Sequence, residues 1–219
     1  FCSAGSLIYN FKTSFVTLTL PALQMHADTE IKGRCLNNFF NVMREKFGLK
    51  NYVWKAELQK NENIHFHIVW DLYIHHNAVR YYWNQSLELL GYVSEYQQRF
   101  QNMTLKNYAA HRRQPISECI KAYRAGVSTR WLSPPTEQVV AVRNALTLAT
   151  YLNKYILQPP SSDDTQGLKR LQLFGRFWRR SQSLPKLVFS TSSDAEYLLG
   201  SLATLGNQRQ KLTTHKTKN

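Results

Sequence analysis

Cysteine is scarce in this chain: Cys2, Cys35 and Cys119 are its whole complement across 219 residues. An odd number of widely separated thiols argues against a disulfide framework and against a Cys-based zinc site, so a reducing cytoplasm fits best. Acidic residues are also few, 14 Asp and Glu against 28 Lys and Arg, for a formal charge of +14. Long apolar runs are missing. No stretch of about 18 apolar residues occurs, and the opening FCSAGSLIYNFK lacks the basic and then apolar order of a signal peptide. A soluble protein without a membrane role is the expectation. No GxxxxGK[ST] loop is present, which excludes a P-loop helicase motor within these residues, and no internal repeat is visible.

What the chain does have is basic charge together with aromatic rings, which make up 13% of it. Cationic groups draw phosphates and release counterions, while rings give unstacked bases a platform, a mixture suited to single-stranded nucleic acid. Charge by itself does not separate this reading from a merely basic soluble domain.

Hydrophobic patterning predicts a strand at FVTLTL (15–20), with Val16, Leu18 and Leu20 facing a core and Pro21 ending it. Asp28 is placed as the cap of a helix through IKGRCLNNFFNVMREKFG, with Ile31, Cys35, Leu36, Phe39, Phe40 and Met43 on its buried stripe and Gly48 as its stop. Residues 51–59 and 64–72 alternate on either side of KNEN and read as a β-hairpin. Asn77 is placed as the cap of a helix ended by Gly91. The stretch 92–135 is basic and aromatic-rich with no assignable pattern. Residues 136–157 follow Pro134-Pro135 and read as a helix with Val142, Ala145, Ala149, Leu152 and Ile156 on one stripe. GRFWRRSQSL and PKLVFS read as strands, DAEYLLGSLATLG as a helix, and the tail 206–219 as basic and disordered.

Two segments carry chemistry. In the hairpin, Trp54, Ala56, Leu58, Ile64, Phe66, Ile68 and Trp70 form one face, leaving Lys55, Glu57, His65, His67 and Asp71 on the other. Strand residues i and i+2 point the same way, so His65 and His67 can reach one divalent ion, and the register that pairs apolar with apolar residues sets Glu57 opposite one of them. Two imidazoles and one carboxylate leave coordination positions open and suit Mn²⁺ or Mg²⁺ facing phosphate oxygens, although Zn²⁺ would bind at least as tightly. A bare H-x-H is by itself a weak signal. The second segment is Tyr151-Leu152-Asn153-Lys154-Tyr155. On a helix, i and i+3 share a side, so a phenol nucleophile and an ammonium can converge on one phosphate. Read alone, it favours an amphipathic helix with tyrosines edging a core, because Tyr and Lys are common on helix flanks.

In their order along the chain, strand FVTLT, H-F-H hairpin and YxxK helix, these segments resemble motifs I, II and III of the HUH superfamily of rolling-circle replication initiators from single-stranded DNA phages, viruses and plasmids. YLNKY is also similar to the two-tyrosine YxxxY arrangement of some phage initiators, and GRFWRRSQSL resembles a GRxWGxS segment of such proteins, with Arg179 where glycine is usual. The resemblance spans about 15–184. It implies an α+β fold, an antiparallel sheet of about five strands with the metal on its open face and helices packed behind. It further implies one nuclease domain over 1–205, with an insertion at about 92–135. The implied activity is site-specific nicking and joining of single-stranded origin DNA through a 5′-phosphotyrosine. In this scheme Glu57, His65 and His67 hold the ion, Tyr151 attacks, Lys154 steers the phosphate or phenolate, and Tyr155 is a candidate second nucleophile. Arg112, Arg113, Trp131, Arg176, Trp178, Arg179 and Arg180 are candidate DNA contacts. A host polymerase, a separate helicase and the cytoplasm of a bacterial host complete the expectation. The competing readings are an HUH transposase or relaxase, and a single-stranded nucleic-acid-binding module that has lost catalysis.

Overall fold

A computed structural model describes residues 13–142, 151 and 178–182. All of these fall within one compact unit. Its centre is a five-stranded antiparallel sheet of order β4-β1-β3-β2-β5, formed by β1 (Ser14–Leu18), β2 (Tyr52–Leu58), β3 (Ile64–Trp70), β4 (Glu137–Ala141) and β5 (Trp178–Arg180). Helices cover one face, giving the α+β architecture expected.

Alternation along the strands decides which face is sealed. Val16, Leu18, Ala56, Ile64, Phe66 and Ile68 are fully buried in the main core, with Leu20 close to it, as the pattern predicts. Against them packs a helical run of α1 (Asp28–Glu30), a π-helical stretch (Ile31–Leu36) and α2 (Asn37–Phe47). Ile31, Cys35, Leu36, Phe39, Phe40 and Met43 are all buried there, and Gly48 ends the run in the left-handed conformation at φ 68°. Asp28 is not the cap: Ala27 occupies that position with extended backbone, and Asp28 is the first helical residue, buried. The next helix, α3 (His76–Glu88), is likewise capped earlier than expected, His75 Nδ1 accepting from the Asn77 backbone N–H at 3.3 Å. Gly91 lies beyond α3, where its φ of 75° turns the chain into the helix that follows.

The stretch without assignable pattern is helical: α4 (Tyr92–Phe100), α5 (Leu105–Arg112) and α6 (Ile116–Ser128). Its rings explain why periodicity failed, since Phe100, Tyr108 and Trp131 fill a second small core with Ala109 and Cys119. The expected helix over 136–157 is corrected at its start. Glu137–Ala141 is a strand hydrogen-bonded to β1, with Phe15 opposite Val140 and Thr17 opposite Gln138. Glu137 lies opposite Leu18, on the helix-covered face, where its carboxylate is buried and Arg80 of α3 donates to it twice at 2.8 Å. A charge at a core position, satisfied from another element, hid the strand's alternation. The expected strand PKLVFS, the last helix, the domain boundary at 205 and the tail 206–219 lie outside the described residues.

Candidate metal and tyrosine site

The sheet face opposite α1 to α3 carries Lys55, Glu57, His65 and His67. In the β2-β3 register Glu57 lies opposite His65 and Lys55 opposite His67, so the four side chains form a block on one side. One carboxylate oxygen of Glu57, Oε1, accepts from Lys55 Nζ at 2.9 Å. The other, Oε2, faces both imidazoles, 3.3 Å from His67 Nε2 and 3.6 Å from His65 Nε2. Candidate donor atoms of Glu57, His65 and His67 all lie within 4.8 Å of one another.

The electrostatics of these groups suit candidate ligands. Burial would raise the Glu57 carboxyl, yet the side chains of His65, His67 and Lys55 outweigh it and hold the group well below the usual carboxylate range. Burial also lowers His67, with the neighbouring His65 and Lys55 acting in the same sense against Glu57. A neutral imidazole keeps the lone pair that an ion needs. Both ring nitrogens of His65 are buried and make no hydrogen bond. Unsatisfied buried polar atoms cost about 1–3 kcal/mol each, and coordination to a cation would remove that cost for one of the two nitrogens. Two imidazoles, one of them without a hydrogen bond, and one carboxylate together fit a divalent ion.

Sequence reasoning assigned no role to three neighbours. Thr17 lies opposite His67 in β1, and its Oγ1 is 3.3 Å from His67 Nδ1, which fixes the ring so that Nε2 turns toward Glu57. Lys55 is 3% exposed, buried beside the candidate ligands and paired with the carboxylate. Phe15, two residues before Thr17 on the same face, stacks on His67 with centroids 5.5 Å apart. The parity of FVTL carried the signal: if Val16 and Leu18 face the core, Phe15 and Thr17 face the histidines.

Tyr151 joins this face. Its backbone is helical and its ring, half-buried, stacks on Phe15 at 4.7 Å with an interplanar angle of 16°. Tyr151, Phe15 and His67 therefore form a continuous ring stack leading to the candidate ligands. Lys154, Tyr155 and Arg176 lie outside the described residues.

The candidate DNA contacts divide. Trp178 lies opposite Lys55 and Arg180 opposite Val53, which puts both on the face that holds Glu57 and His67, with Trp178 44% exposed. Arg179 lies opposite Trp54 and so belongs to the other face. Arg112 and Arg113 are exposed at the end of α5. Trp131 is corrected: it is 3% exposed and stacked on Phe100 at 5.3 Å, so its ring faces an internal core and presents no surface to a base.

Residues 13–159, about two thirds of the chain, match the model of the replication-associated protein ORF2 family, and the chain belongs to that family. No curated protein and no solved structure matches significantly. The matched segment contains the sheet strands β1 to β4, the three candidate ligands and the tyrosine pair.

Proposed function

We propose that this replication-associated protein is a metal-dependent endonuclease and strand transferase that nicks single-stranded origin DNA and starts, and ends, rolling-circle replication. The observation that carries the reading is the ring stack that puts Tyr151 on the same sheet face as Glu57, His65 and His67. Those three side chains would hold Mn²⁺ or Mg²⁺, which supplies charge neutralisation at the scissile phosphate. Glu57 is kept ionised and oriented by Lys55, and Thr17 orients His67.

The chemistry assigned to the chain is transesterification. The Tyr151 oxygen forms a bond to phosphorus, the bond from phosphorus to the 3′ oxygen breaks, and the phenolic proton is passed on as the 3′-OH is released. The product is a 5′-phosphotyrosine that conserves the ester, so a later 3′-OH can reverse the step and close the strand. Hydrolysis would discard that bond. Lys154 steers the phosphate or phenolate, and Tyr155 serves as the nucleophile of the second transfer. Trp178 offers a base a stacking surface, while Arg180, Arg112 and Arg113 meet phosphates. The released 3′-OH primes a host polymerase, with unwinding by a separate helicase, in the cytoplasm of a bacterial host.

The test uses a 5′-labelled and a 3′-labelled single-stranded origin oligonucleotide with Mn²⁺. An adduct surviving denaturing electrophoresis, formed only with the label on the 3′ side of the nick and absent in EDTA, is the expected result. Mass spectrometry should find the nucleotide on Tyr151. Nicking at full rate in EDTA, or cleavage without any adduct, would overturn the reading.

A further inference from the structure

The second small core changes what the basic stretch can bind. Between residues 92 and 135 there are seven Lys or Arg against two Glu, a net +5 that is more than a third of the chain's +14. Read as sequence, this charge and its rings suggest a stacking platform for unpaired bases. The structure separates the two. Phe100, Tyr108 and Trp131 are buried, Tyr96 and Tyr123 are half-buried against them, and no Phe, Tyr or Trp of α4 to α6 is exposed. Charge remains outside and the rings are used in packing.

What they pack is a three-helix unit. α4 ties it to the body through Tyr92 and Val93, which belong to the main core, while Phe100 at its other end enters the small one. α5 and α6 pack against each other with Ala109 and Cys119 buried between them. Only three residues join the two helices, and the first, Arg113, takes the left-handed conformation at φ 53° before Pro115 starts α6. A short helix, a three-residue turn with a left-handed residue and a longer helix is the arrangement of helix-turn-helix units, whose second helix enters the major groove of duplex DNA.

The faces of α6 agree with that use. Cys119, Tyr123 and Gly126 look inward. A Cβ on Gly126 would lie 2.2 Å from the Trp131 ring, so that position admits only glycine unless the ring moves. The opposite stripe, Ser117, Lys121, Arg124 and Ser128, is exposed and recurs at helical spacing. It is polar, cationic and free of rings. An α-helix fits a major groove about 12 Å wide, and Lys106, Arg112 and Arg113, exposed on α5 and at the turn before α6, add positive charge for phosphates.

We infer that α4 to α6 form a duplex-DNA docking unit in which α6 enters the major groove through Ser117, Lys121 and Arg124. This goes beyond the nicking chemistry and does not depend on it: one surface holds paired DNA while the sheet face works on an unpaired strand.

The experiment measures fluorescence anisotropy of the full chain with a blunt duplex of about two helical turns and mixed sequence, and with a single strand of the same length, in EDTA so that no cleavage intervenes. Lys121→Glu/Arg124→Glu is compared with Lys46→Glu/Lys50→Glu, which changes net charge equally on exposed residues of another region. The α6 variant should weaken duplex binding by at least about tenfold more than the control, and should lower the slope of log affinity against log salt by about 1–2, near 0.9 per lost phosphate contact. Lys121→Gln/Arg124→Gln should move both in the same direction by less, and circular dichroism should show native helix content. Equal weakening by the two charge reversals would reduce the effect to net charge and overturn the inference. Absence of duplex binding by the unmodified chain would overturn it too, as would a loss for the single strand equal to that for the duplex. Metal-dependent adduct formation on a short single-stranded oligonucleotide is read separately, so failure here and failure of the nicking proposal are distinguishable.

Discussion

The two faces of the sheet are made from the same strands in alternation, and they have become opposites. On the helix-covered face Val16, Leu18, Phe66 and Ile68 are sealed under α1 to α3. One residue away on each strand, Phe15, Thr17, His65 and His67 line a face whose polar groups are incompletely satisfied within the protein. The lesson is that burial alone does not mark a core. His67 is 6% exposed and Lys55 3%, as buried as many core residues, yet both belong to the chemical face. What distinguishes the faces is chemistry: apolar side chains fill one, while on the other Lys55 and His67 are buried against the Glu57 carboxylate.

The sharpest way to break this comparison is at adjacent residues. Phe66→Ala should cost about 3–5 kcal/mol of stability in chemical denaturation, because it empties a fully buried ring position. His67→Ala, next along β3, should shift unfolding by no more than about 1 kcal/mol, while Mn²⁺ binding by calorimetry and adduct formation both disappear. Comparable destabilisation by the two substitutions would mean that His67 is simply core.

Glu137 is the exception on the covered face, a carboxylate among apolar side chains held by Arg80 with His76 at 3.4 Å. Arg80→Met should cost about 3 kcal/mol by leaving that charge buried and uncompensated. Arg80→Met/Glu137→Leu should recover most of the loss, and additive costs in the double variant would show that the two side chains act separately. On the chemical face the corresponding test is milder. Thr17→Val removes the hydroxyl beside His67 Nδ1 and keeps the shape, so ion affinity should fall about 10- to 100-fold with the melting transition unchanged. An unaltered dissociation constant would remove Thr17 from the site. Smallest of all should be the response of the covered face to reagents. The Cys35 thiol, 0% exposed, is pushed up to about 12 by burial, so alkylation under native conditions should leave its peptide unmodified. Ready labelling before unfolding would show that the covered face opens.

Much of this was legible in the chain itself. The period of two across FVTL and across the hairpin assigned Phe66 and Ile68 to one side and Glu57, His65 and His67 to the other, because neighbouring side chains on an extended strand must point apart. Where alternation failed, so did the reading. At 137–141 the strand's one core-facing charge is neutralised by an arginine 57 residues away, and no local window contains that partner. At 92–135 the aromatic residues looked like ligand-binding surface because a ring's composition says nothing about which side of it is covered.

By itself, the sequence determined the hairpin, its two faces and the candidate ligand trio, since each follows from spacing within one or two strands. Tertiary structure alone decided that Trp131 is core and Trp178 surface, and that β1 pairs with β3 so that Thr17 meets His67. It also decided that Tyr151, far along the chain, stacks through Phe15 onto His67. Those outcomes depend on which strands pair and which helix packs where. Such contacts join residues distant in the chain, and their energy comes from shared burial and partnering that no single segment possesses.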